Sequence, residues 1–215
     1  MMRKILFMVL VLSLVFSLAA CGDKAENDAA SDAVEETTPE PTDASTTAAP
    51  PTTEPGPKKV NKWIEFSDDS DSSERNAVKV GDGGGHKSIG VKFTADFIIT
   101  GISLSCPSWS DDIGTMVFKI YSWDTDYETT TSKDPVFVDT ETFVDYPDNS
   151  MMEVMFGDEI PAGTYLWELS EGKDGVGVWA SKTHGSEGLV FYKNGEPFTD
   201  GTAFNGELIG YVMSE

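Results

Sequence analysis

An all-β sandwich is the fold class that residues 60–215 predict, and three observations predict it. Apolar residues alternate with period two in short runs, most clearly where Met116, Phe118 and Ile120 fall on one side of a strand and Val117, Lys119, Tyr121 and Trp123 on the other. Turn clusters such as YPDNS, GDEIPAG, SEGKDG and KNGE separate these runs at roughly 10–12-residue spacing. No apolar stripe of helical period runs long enough to make an amphipathic helix. About ten short strands in roughly 150 residues argue for a two-sheet antiparallel jelly roll, a size at which ~68–70 % of the chain's surface is buried on folding.

Taken in order, the chain begins with Arg3 and Lys4, followed by an apolar run from Ile5 to Leu18. That layout predicts a signal peptide over residues 1–20, the run being short for a membrane-spanning helix. It ends Leu18-Ala19-Ala20-Cys21-Gly22, which resembles the lipobox of bacterial lipoproteins. The resemblance implies cleavage before Cys21 and lipidation of its sulfur. Two acyl chains at ~0.8 kcal/mol per buried CH₂ suffice for stable anchoring, so the expected address is the bacterial cell membrane, facing outward.

Residues 21–59 are rich in Thr, Pro, Ala, Asp and Glu and nearly devoid of large apolar side chains. Such a segment cannot bury enough surface to offset the entropy of ordering, and it is expected to be a disordered tether. Fully extended, it reaches on the order of 100 Å at ~3.1 Å per residue.

From Trp63 onward, nine Lys and Arg stand against 28 Asp and Glu, which accounts for most of the formal charge of −22. Nucleic acid is excluded as an expected partner, because binding it needs a basic footprint. Calcium is the cation that acidic turns suit, since it takes six to eight oxygen ligands. Asp68, Asp69, Asp71 and Glu74 in the turn SDDSDSSE are the candidate ligands, although the turn lacks the glycine and final glutamate of an EF-hand loop. With Cys21 assigned to lipid, Cys106 has no disulfide partner and reads as a small core hydrophobe.

The strands follow as Trp63–Phe66, Ala77–Val80, Ser88–Thr94 and Phe97–Cys106, the last with Ile98, Ile102, Leu104 and Cys106 on one side. After the strand through Phe118 come Pro135–Val144, Met151–Phe156, Gly163–Leu169, Gly175–Ala180, Gly188–Tyr192 and Glu207–Met213. Trp63, Tyr165 and Trp167 read as strand residues that fill a core. Trp109, Trp123, Tyr127 and Trp179 fall in or beside turns, where an exposed ring can stack on the C–H face of a sugar, and Asp124 and Asp126 beside them can accept hydroxyl hydrogen bonds.

Catalytic groups are scarce. His86 and His184 lie in turns with no nucleophile elbow or metal-spaced partner, and Glu168 with Glu171 has no spacing that fixes a glycosidase pair. The run GGGHKSIGVKFTAD, CPSW, FKIYSWDTDYETT, YPDN, IPAGTYLWELS and GVGVW, over Gly84 to Trp179, resembles an accessory jelly-roll module found beside glycoside hydrolase domains in secreted bacterial proteins. That resemblance implies non-catalytic attachment to an extracellular polysaccharide or glycan. A protein-interaction or structural surface domain is the alternative, and a sandwich-fold glycosidase the second.

Overall fold

The computed structural model describes residues 56–67, 75–83, 85–109, 112–182 and 185–214. Thr53–Glu215 form one compact unit with a core of its own. Its elements are β1 (Lys58–Ser67), β2 (Asn76–Val80), β3 (Ser88–Ala95), β4 (Ile98–Cys106), β5 (Thr115–Ser122), α1 (Tyr127–Thr131), β6 (Phe137–Asp139) and β7 (Ser150–Ile160). There follow β8 (Gly163–Lys173), β9 (Val176–Ser181), β10 (Val190–Lys193), β11 (Glu196–Pro197), β12 (Ala203–Phe204) and β13 (Gly206–Ser214).

The strands make an antiparallel β-sandwich. One sheet runs β1-β13-β4-β7 and the other β11-β10-β3-β8-β5-β6, while a short third sheet, β12-β9-β2, touches strands of both. Period-two alternation decides what enters the space between them. Ile64 and Phe66 of β1, Ile89, Val91 and Phe93 of β3, and Met116, Phe118 and Ile120 of β5 are all buried. At the centre, the Phe118 ring lies 6.2–6.5 Å from Phe137, Phe143, Phe156 and Trp167, and Trp167 lies 5.6 Å from Phe66 and 5.7 Å from Phe204. Cys106 is buried here as a free thiol, and burial pushes its pKa far up, so it behaves as the apolar filler its context predicts.

Four local readings of the sequence change. Trp63 is not core: Ile64 and Phe66 take the inward face of β1 and leave Trp63, which shares its face with Glu65, 64 % exposed. In β4 the register shifts between Ile99 and Gly101, so Ile99, not Ile98, joins Ile102 and Leu104 inside. The strand expected over 135–144 shrinks to β6, because the Asp139 carboxylate accepts hydrogen bonds from the Glu141 and Thr142 amides and closes a turn. A single helical turn, α1, appears where none was expected. Asp126 caps it by accepting from the Thr129 amide at 2.8 Å, and Glu128 sits in its first turn, favourable for the helix dipole.

Candidate functional site

The outer face of the six-stranded sheet carries a second, smaller apolar cluster. Tyr121 on β5, Leu166 on β8 and Tyr192 on β10 are buried there, with Trp123, Tyr127 and Val190 packed against them. Register explains the grouping. Val190, Lys92, Leu166 and Tyr121 form one cross-strand row, and Tyr192, Gly90, Glu168 and Lys119 the next. Gly90 leaves that second row without a side chain, and a Cβ there would lie 2.4 Å from the Trp167 carbonyl oxygen.

The loop from Trp123 to α1 closes over this face. The Trp123 amide donates to the Thr164 carbonyl at 3.0 Å, and the Asp124 amide to the Thr130 hydroxyl at 3.0 Å. Tyr127 is the anchor of α1: its hydroxyl donates to the Glu168 carboxylate and lies 3.0 Å from the Ser88 hydroxyl. Its ring is 5.0 Å from Tyr192, which is 6.0 Å from Trp123, and the Lys92 ammonium lies 4.4 Å from the Trp123 ring centroid. The two-residue β10–β11 turn, with Asn194 and Gly195 both at positive φ, brings Gly195 against the Tyr127 ring, where a Cβ would come within 3.2 Å.

Together these groups wall an open cleft of about 480 Å³, lined by Trp123, Tyr127 and Tyr192 with the carboxylates of Asp126, Glu128 and Glu196. Rings that offer apolar faces and carboxylates that accept hydroxyl hydrogen bonds are the two chemistries a saccharide presents itself to.

Of the residues singled out from sequence, Trp123, Asp126 and Tyr127 converge here. Asp124 does not line the cleft: it pairs with Lys133, whose hydrogen bond, with one from Thr125, holds its carboxyl below the usual range. Asp126 lines it while one oxygen caps α1. Trp109 and Trp179 belong elsewhere, on the outer face of the short third sheet. The Trp109 ring lies against Gly177 and near the Lys79 ammonium, and Trp179 donates its indole N–H to Asn149 at 2.9 Å with Arg75 over its ring. The sequence reading missed Tyr192, Lys92, Glu128 and Glu196. Tyr192 alternates with the inward Phe191 just before the Asn-Gly turn, a signal that was present in the alternation.

Glu168 and Glu171 differ in environment: Glu168 is buried and accepts from Tyr127, whereas Glu171 is exposed and pairs with Lys119 at 2.7 Å. The candidate calcium ligands Asp68, Asp69, Asp71 and Glu74 lie outside the described residues, as do Cys21 and His184. Among the described residues, no group of three or more His, Cys, Asp or Glu side chains could hold a metal ion.

Burial, then the charge of Glu168, raises the Tyr127 phenol far above its ordinary value, and burial pushes Tyr121 up to about 12. For these acids the folded pKa exceeds the unfolded value of ~10, so the folded state holds protons that the unfolded chain has lost. Their stabilising contribution is complete below pH ~10 and drains away above it. Alkaline titration followed at the tyrosinate absorbance should show four of the six tyrosines, Tyr121, Tyr127, Tyr165 and Tyr192, ionising later than a free phenol, with Tyr127 last, and Tyr127→Phe should remove that last step. Ionisation of every tyrosine near pH 10 in the folded protein would contradict the geometry of this cluster.

No protein-family model matches the chain, and no curated protein matches it.

Proposed function

We propose that the domain is a non-catalytic carbohydrate-binding module, lipid-anchored through Cys21 on the outer side of a bacterial membrane, that attaches to an extracellular glycan. The observation that carries this reading is the convergence of three aromatic rings and three carboxylates on one open cleft. Concavity matters, because a flat exposed ring offers one face whereas a cleft encloses a sugar on several sides. The partly exposed Trp123 is the stacking residue, Tyr192 and Tyr127 are its backing, and Asp126, Glu128 and Glu196 are the hydroxyl acceptors.

The anchor and tether belong to the same reading. A module held by lipid outside the cell and spaced from it by about 37 residues can sample a shell on the order of 100 Å deep. Weak individual contacts suffice for such a device, and micromolar-to-millimolar affinity, about −8 to −4 kcal/mol, is expected.

Two measurements test the reading. Mass spectrometry of the N-terminus of the cell-derived protein should find Cys21 as the first residue and acylated; an unmodified Cys21 within an uncleaved chain sinks the anchor. A glycan array probed with the 53–215 unit, with reducing-sugar release assayed on every hit, should give binding without release. Release favours the glycosidase alternative, and an array with no hits favours a protein-interaction surface.

A further inference from the structure

In a domain with three carboxylates for every cation, lysines are expected beside acids, and Lys119 and Lys133 sit beside Glu171 and Asp124. One cleft runs against this trend. A cavity of about 500 Å³ lies along β2, the edge strand of the short sheet, away from the aromatic cleft. Its described lining bears Lys79, Lys182, Lys193 and His86 against a single carboxylate, Asp200.

The cations are held from several elements. Lys79 comes from β2 and its ammonium lies 5.5 Å from the Trp109 ring centroid. Lys193 comes from the end of β10, its ammonium 4.0 Å from the Phe198 ring centroid and 3.9 Å from Asp200. Lys182 follows the buried Ser181 at the end of β9 and is exposed. Asp200 also accepts a hydrogen bond from the Thr202 amide at 2.9 Å, so one carboxylate is shared among a turn amide and the neighbouring lysines. A concave wall with excess positive charge focuses the field on whatever enters it. Thr202 and the edge-strand residues Ala77 and Val78 add polar groups of the kind that pair with hydroxyls. The volume falls within the ~300–1,000 Å³ range of small-ligand sites.

We propose that this cleft is a second, anion-selective saccharide site that takes a uronic-acid unit, its carboxylate set between Lys182 and Lys193. The proposal rests on the glycan reading of the domain and adds the charge of the ligand to it. The distant carboxylates of the domain do not prevent entry, since at 0.15 M salt they are screened beyond ~8 Å.

The test is calorimetric titration of the 53–215 unit at 0.15 M salt with trigalacturonate and with its methyl ester, which keeps the rings and loses the charge. The acid should bind about tenfold more tightly than the ester, and Lys182→Glu should erase that difference. Lys62→Glu, the same charge change on β1, and Trp123→Ala should leave the difference in place. Equal binding of acid and ester by the unsubstituted domain overturns the proposal, as does an equal loss in Lys62→Glu and Lys182→Glu. If Trp123→Ala abolishes binding of both ligands and Lys182→Glu changes neither, the aromatic cleft stands and the anion site falls. An acid-over-ester difference that survives Trp123→Ala, with no other saccharide affected by that change, leaves the anion site standing and removes the aromatic one.

Discussion

Replacing Phe118 by alanine should cost the domain about 3–5 kcal/mol, the range for deleting a fully buried aromatic side chain. Phe118 has no solvent exposure and its ring is surrounded by Phe137, Phe143, Phe156 and Trp167. These neighbours come from both sheets of the sandwich and from the strand-to-loop segment around β6, and they cannot all move inward to fill the space. The cavity therefore persists, and both the lost transfer energy and the cavity contribute. Against a total stability of roughly 5–15 kcal/mol, this should lower the melting temperature by roughly 6–20 °C. Urea denaturation of the 53–215 unit measures it. A loss of less than ~1 kcal/mol would place Phe118 outside the centre of the core.

The second large effect is on binding. Trp123→Ala should weaken saccharide binding by about 2–3 kcal/mol, roughly 30- to 150-fold, as expected for an aromatic hot spot. The fold should tolerate it, because Trp123 packs at the margin of the outer cluster and is only partly buried. Tyr192→Ala provides the contrast. Tyr192 is 7 % exposed and lies between Trp123 and Tyr127, so its loss should weaken both binding and stability, the latter by about 3 kcal/mol. Equal destabilisation by the two substitutions would make Trp123 a core residue and move the binding surface elsewhere.

The strands were legible because their burial pattern is local. Met116, Phe118 and Ile120 announce a buried face by spacing alone, and the structure buries all three. Trp63 obeys the same rule: it shares a face with Glu65, opposite Ile64 and Phe66, and that spacing marks it as outward. The helical turn α1 left no periodic signal, since five residues rich in threonine cannot display an amphipathic stripe. What forms it is the Asp126 cap and the Tyr127 anchor, and the anchor is tertiary.

The site was half legible for a related reason. Trp123, Asp126 and Tyr127 are neighbours in sequence and remain neighbours in space. Tyr192 and Glu196 join them only because β10 pairs with β3 and β3 with β8, an order that no local pattern states. Trp109 and Trp179 look like the same kind of residue and end on a different sheet face for the same reason. Aromatic residues at turns identified candidates. Strand order sorted them.

The most direct test of the central claim is a pair of binding isotherms, Trp123→Ala and Trp63→Ala, against the best saccharide found for the unsubstituted 53–215 unit. Trp63 is the control because it is the more exposed indole, on the opposite sheet and away from the aromatic cleft. Trp63→Ala should bind as the unsubstituted domain does, and Trp123→Ala should lose about 30-fold or more in affinity. Full affinity in Trp123→Ala with loss in Trp63→Ala would contradict the claim and place the binding surface on the face of β1.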